Sequence, residues 1–90
     1  MNDEIEKEQE FEEWLNLLDE NKFSVLKQEM NEEYPANIAE FFEEVPKKKR
    51  LFLFRLLTKD NAAETFSFMA SDVQEDIVNS ITDNEVRSIV

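Results

Sequence analysis

Apolar side chains recur along this chain in short blocks, each at the spacing of a single helix face. Phe11, Trp14, Leu15 and Leu18 stand at i, i+3, i+4 and i+7, and so do Ile38, Phe41, Phe42 and Val45. The first block predicts a helix from about Glu4 to Glu20, behind a charged stretch to about residue 10 that is expected to fray. Asn21 is a candidate cap for a shorter helix with Phe23, Leu26 and Met30 on one face. Pro35 then suits a first helical turn, where a missing N–H removes a donor that would have no partner. Pro46 repeats that arrangement. The segment it opens holds Leu51, Phe52, Leu53, Phe54, Leu56 and Leu57, with Arg55 nearly its sole polar position, so it is expected to be surrounded by other helices.

Further starts follow. Thr58 is placed to cap a helix carrying Ala62, Ala63, Phe66 and Met69, while Ser71 to Gln74 and Thr82 to Glu85 both match the S/T-x-x-E/Q capping box. Helices of two to three turns are marginal alone and must bury one face on their neighbours. A succession of them with no strand-like alternation predicts an all-α helical repeat or superhelix. The last block, Val86, Ile89 and Val90, meets neither cap nor breaker, so the native chain is expected to continue.

Composition narrows the picture. Ninety residues allow one domain burying about 65% of its unfolded surface, too little for a deep catalytic cavity with a lid. Acids outnumber bases 22 to 10, a formal charge of −12 that argues against nucleic acid and anionic membrane surfaces and favours cations or basic protein faces. The acidity is concentrated in the first third, Met1 to Glu33. With no cysteine there is neither a disulfide nor a thiolate zinc site, and with no glycine the phosphate-cradling loop and the EF-hand turn lose their key residue. No apolar run approaches the ~18 residues of a membrane helix, and no secretory signal is present, so direct membrane insertion by this segment is not expected. Without histidine, cysteine or a nucleophile elbow, the chain is not expected to be an enzyme.

Taken in order, PANIAEFFEEVP, RLFLFRLL, NAAETFSFM, DVQEDIVNSI and TDNEVRSIV resemble the amino-terminal domain of MgtE-type magnesium transporters. The middle segment of the flagellar motor switch protein is similar in pattern. It supports the alternative reading of a protein-interaction module without metal dependence. The MgtE resemblance implies a right-handed superhelix of about seven short helices over Phe11 to Val90, after an acidic start at residues 1–10 and truncated at its C-terminal end. It further implies a domain on the cytoplasmic side of the cell membrane, followed in the parent chain by CBS domains and a membrane pore, and homodimeric in the complete protein. In such proteins magnesium bound between cytosolic domains favours the closed pore. The family's metal-contacting acid falls on Glu64 of Ala62-Ala63-Glu64, with Mg²⁺ shared with domains absent here. Lys47, Lys48, Lys49 and Arg50 depart from the family, which tends to place acids after this proline. Cations in a first helical turn oppose the helix dipole, so compensation from Glu43, Glu44 or a partner is expected.

Most other charges have a plainer reading. Glu4, Glu6, Glu8, Glu10, Glu12 and Glu13 read as a solvated helix face, and Asp72, beside Glu75 and Asp76, as a dipole-complementing first-turn acid. The basic run reads as a solvated helix start, with an interface as the sharper hypothesis. Phe41, Phe42, Phe52, Phe54 and Phe66 are expected in the core, whereas Phe68 lies off its helix stripe and is expected to be exposed.

Overall fold

The computed structural model describes the backbone of residues 2–89 and the side chains of residues 5–82. Among the described residues there are six helices and a single 3-10 turn, and no strand: α1 (Asn2–Asp19), α2 (Phe23–Asn31), α3 (Pro35–Glu44), the turn Lys47–Lys49, α4 (Arg50–Phe54), α5 (Lys59–Phe68) and α6 (Ser71–Ile89). The all-α expectation holds. Beyond the α1 and α2 pair, packing skips one helix: α3 lies on α5 and α4 on α6. Such stacking suits elements too short to stand alone.

The core follows the apolar stripes. Ile38, Phe41, Phe42 and Val45 are all buried, as are Phe11, Trp14, Leu18, Leu26 and Met30. Aromatic rings join the helices across this core. Trp14 meets Phe41 edge-on at 5.0 Å, and the series continues through Phe42, Phe54 and Phe66 at centroid spacings of 6.0 to 6.5 Å. Edge-to-face pairs at such spacings add about 0.5–1.5 kcal/mol each beyond the area they bury.

The helix ends differ more from expectation. Asn21 does not cap α2; it has φ 61 and closes α1 instead. The Lys22 amide donates to the Leu17 carbonyl at 2.9 Å and the Asn21 amide to the Leu18 carbonyl at 3.2 Å, the paired bonds of a Schellman ending. Asparagine takes the left-handed position because this chain has no glycine to put there. Thr58 caps α5 as expected, its hydroxyl accepting from the Asn61 amide at 3.3 Å. Ser71 lies already inside α6, where the Val73 and Gln74 amides donate to the Ala70 carbonyl. Gln74 reaches instead to the Phe66 carbonyl at 2.7 Å.

Thr82 starts no helix. Its hydroxyl donates to the Val78 carbonyl at 3.1 Å, the bond of a threonine within a helix, and α6 runs through it unbroken for 19 residues. With neither proline nor glycine near Thr82, nothing forces an end there. The side chains of Val86, Ile89 and Val90, expected on an apolar face, lie outside the described residues.

α4 is also less enclosed than expected. Pro46 precedes a 3-10 turn, and α4 has only five residues, so its apolar positions point in several directions. Leu51 and Leu53 are buried, but Phe52 is 43% exposed.

One polar side chain that the apolar pattern does not reveal holds three elements together. Asn31, at the end of α2, donates to the Leu56 carbonyl at 3.1 Å and accepts from the Thr58 amide at 2.8 Å and from Asn61 Nδ2 at 3.0 Å. It thereby fixes the α4–α5 connection and the start of α5 against α2.

Candidate functional site

Glu64 lies on the middle of α5, and the register of that helix decides what surrounds it. Thr65 is fully buried and Ala62 and Phe66 pack partly against the core, which turns Asp60, Glu64 and Phe68 outward. These three are spaced four apart, so they form one exposed row, with Cβ separations of about 5–6 Å between neighbours. Phe68 ends the row at 59% exposure, as its sequence position predicts. The Glu64 backbone carbonyl accepts from the Ser67 hydroxyl at 2.6 Å, while no hydrogen bond or ion pair engages its carboxylate among the described residues. The row is therefore two hard oxygen donors and an exposed aromatic ring. Among the described residues no group of three or more acid side chains is arranged to hold a metal ion.

The basic run is not a free helix start. Arg50 turns back on α3, donating from Nε to the Phe42 carbonyl at 3.0 Å and from Nη2 to the Glu43 carbonyl at 3.4 Å. It thus satisfies acceptors that the helix end leaves open. Its Nη1 lies 3.5 Å from Asp76 Oδ2, and Lys47 Nζ lies 3.8 Å from Asp76 Oδ1. Lys49 pairs with Asp19 at 3.6 Å. Compensation therefore comes from Asp76 and Asp19 and from the carbonyl of Glu43, not from the carboxylates of Glu43 or Glu44. Asp76 is only 8% exposed, so it parts from Asp72 and Glu75, which stay on the surface. Its Oδ2 has no hydrogen bond, leaving the charge on Arg50 as its main compensation.

The acidic face of α1 holds a further departure. Glu10 is half-buried against Glu33 in a recess of 410 Å³ also lined by Glu6, Lys7, Tyr34 and Asn37. Burial, then the hydrogen bond with Glu33, push the Glu10 carboxyl up to about 7. Glu33 is held below the usual carboxylate range chiefly by that same bond, and it also accepts from the Tyr34 amide at 2.9 Å and from Asn37 Nδ2 at 3.1 Å. Those extra donors explain the division of roles. Within the pair Glu33 is the ionised acceptor, and Glu10 holds the proton below about pH 7. Lys7, beside them, pairs with Glu40 at 2.9 Å and ties α1 to α3.

Among the described residues the chain is an all-α domain whose acidic side chains are mostly exposed. Residues 33–90 match the family model of the MgtE intracellular N domain, and the chain belongs to that family. It is thus an N-terminal domain of an MgtE-type magnesium transporter, as the order of its helix signatures implies. The matched region contains α3 to α6 and the whole exposed row of α5, while α1 and α2 precede it. No curated protein and no solved structure matches the chain significantly. No helix among the described residues is long and apolar enough to cross a membrane.

Proposed function

We propose that this domain is the magnesium-responsive regulatory part of its transporter, meeting the CBS domains of the parent chain on the cytoplasmic side through the Asp60, Glu64, Phe68 row. The observation that carries this reading is the outward Glu64 carboxylate, without a partner among the described residues, one turn from an exposed phenylalanine. Magnesium keeps several waters and takes one or two carboxylates, so a shared site asks no more than this of one side. When the ion is scarce, acidic faces repel; when it is abundant, it bridges them and favours the closed pore. Repulsion of that kind acts over about 8 Å at physiological salt, so it works only between surfaces already near contact. Homodimerisation of the complete protein would set two such rows in one assembly.

The test is ion flux through the complete transporter as internal magnesium is raised at constant ionic strength. Glu64→Ala is expected to raise the concentration that halves the flux severalfold, with Glu75→Ala as an exposed-acid control. Equal responses from the unaltered transporter and Glu64→Ala would remove Glu64 from the site.

A further inference from the structure

Phe52 stands out because its exposure is not isolated. Its ring meets Phe23 edge-on at 4.7 Å, and the two form walls of a groove of 240 Å³ completed by Leu18, Asn21, Lys48 and Lys49. The base is apolar and the rim is cationic. Lys48 is exposed and has no ion pair among the described residues, whereas Lys47 and Lys49 lean toward Asp76 and Asp19. Only here in the chain do four bases stand consecutively, in a protein whose net charge is −12.

We propose that this groove between α1, α2 and the basic turn docks an acidic peptide segment that inserts one apolar side chain beside Phe52. The volume suits a single leucine or phenylalanine side chain, and edge contact with Phe23 holds the Phe52 ring as a fixed wall. Charge complementarity selects the ligand. Lys47 and Lys49 are partly neutralised by Asp76 and Asp19, so Lys48, which has no ion pair among the described residues, is the cation that attracts a carboxylate beside the anchor. A basic segment would gain the same apolar contact but would meet the lysines unscreened. This surface is separate from the α5 row, and the proposal stands or falls independently of magnesium.

The experiment is selection of a displayed library of random peptides against the 90-residue chain at physiological salt, followed by anisotropy titration of the enriched peptides. The expected winners are net acidic with one large apolar residue. Lys48→Glu should weaken their binding about fivefold or more, the scale of one exposed charge contact reversed. Phe52→Ser should abolish it, while circular dichroism and Trp14 fluorescence stay as in the unaltered chain. Lys27→Glu, an exposed charge on α2 outside the groove lining, is the control and should leave binding unchanged. Enrichment of neutral or basic peptides, no enrichment, or equal weakening by Lys27→Glu and Lys48→Glu would overturn the proposal. So would self-association of the chain that Phe52→Ser removes, because the occupant would then be a second copy.

Discussion

Replacing Arg50 tests the arrangement that ties α3, the basic turn and α6 together. Arg50→Met keeps much of the side chain's apolar stem but withdraws the guanidinium from Asp76, which is 8% exposed, and from the carbonyls of Phe42 and Glu43. Breaking a buried pair by removing one partner costs about 3–5 kcal/mol. Lys47 remains at 3.8 Å from Asp76, so the lower end applies, about 3 kcal/mol. Losing the carbonyl contacts adds about 1 kcal/mol. The total, about 4 kcal/mol, is a large part of the roughly 5–13 kcal/mol available to a domain of this length. Urea unfolding followed by circular dichroism and by Trp14, the single tryptophan and only 1% exposed, measures it. Arg50→Lys should lose less, because an ammonium still reaches Asp76 but lacks the planar fork that serves both carbonyls. In a cycle with Asp76→Asn, the coupling between the two positions should reach at least about 1.5 kcal/mol. If the two substitutions add within about 0.5 kcal/mol, Asp76 does not depend on Arg50 and the reasoning fails.

Other consequences can be checked with the same unfolding assay. Asn31→Ala removes the acceptor for Thr58 and Asn61 and the donor to Leu56, and should cost about 2 kcal/mol; a cost near zero would mean that water replaces all of these bonds. Asn21→Ala keeps a β-carbon at φ 61 but loses the short polar side chain that lets asparagine tolerate that region, and should cost about 1 kcal/mol. Asn21→Gly should stay within about 0.5 kcal/mol, since relief of strain offsets the freer unfolded chain, and equal losses from alanine and glycine would contradict the Schellman ending. The Glu10 carboxyl is pushed up to about 7 in the folded chain from the ordinary 4.5, so its contribution is fully present below the lower value and is lost as pH rises through the upper one. Discounted for solvent at a half-buried site, the loss is about 1 kcal/mol between pH ~5 and ~8. Glu10→Gln imitates the protonated form and should remove that part of the pH dependence, whereas an unchanged profile would refute the shared proton.

The stripes that build the core were legible because they need only local spacing. Ile38, Phe41, Phe42 and Val45 share a face whatever the tertiary arrangement, and all four are buried. Asp76 and Thr65 were missed although the same spacing applied to them. Asp76 stands three residues after Val73 and next to Ile77, and Thr65 three after Ala62, so both are carried inward by apolar neighbours. Reading acids as a cluster by proximity in sequence hid that difference in register. The long-range partners were beyond local reasoning. Arg50 with Asp76, Glu10 with Glu33, and Asn31 with Asn61 all join residues at least 23 positions apart, and no local periodicity pairs them. The extra Thr82 start shows the opposite error. A capping box states that a helix can begin there, but α6 continues because no neighbouring residue stops it.

The α5 face carries the proposed magnesium contact. Glu64 was singled out through its place in Ala62-Ala63-Glu64, and the fold leaves it outward beside Asp60 and Phe68. Magnesium-dependent protection from proteolysis in the complete transporter, compared between the unaltered chain and Glu64→Ala at constant ionic strength, tests its role most directly. The account predicts that magnesium protects the unaltered protein and that the substitution raises the concentration required. Equal protection of both proteins would remove Glu64 from the site, and no protection of either would contradict the proposal that this domain responds to magnesium.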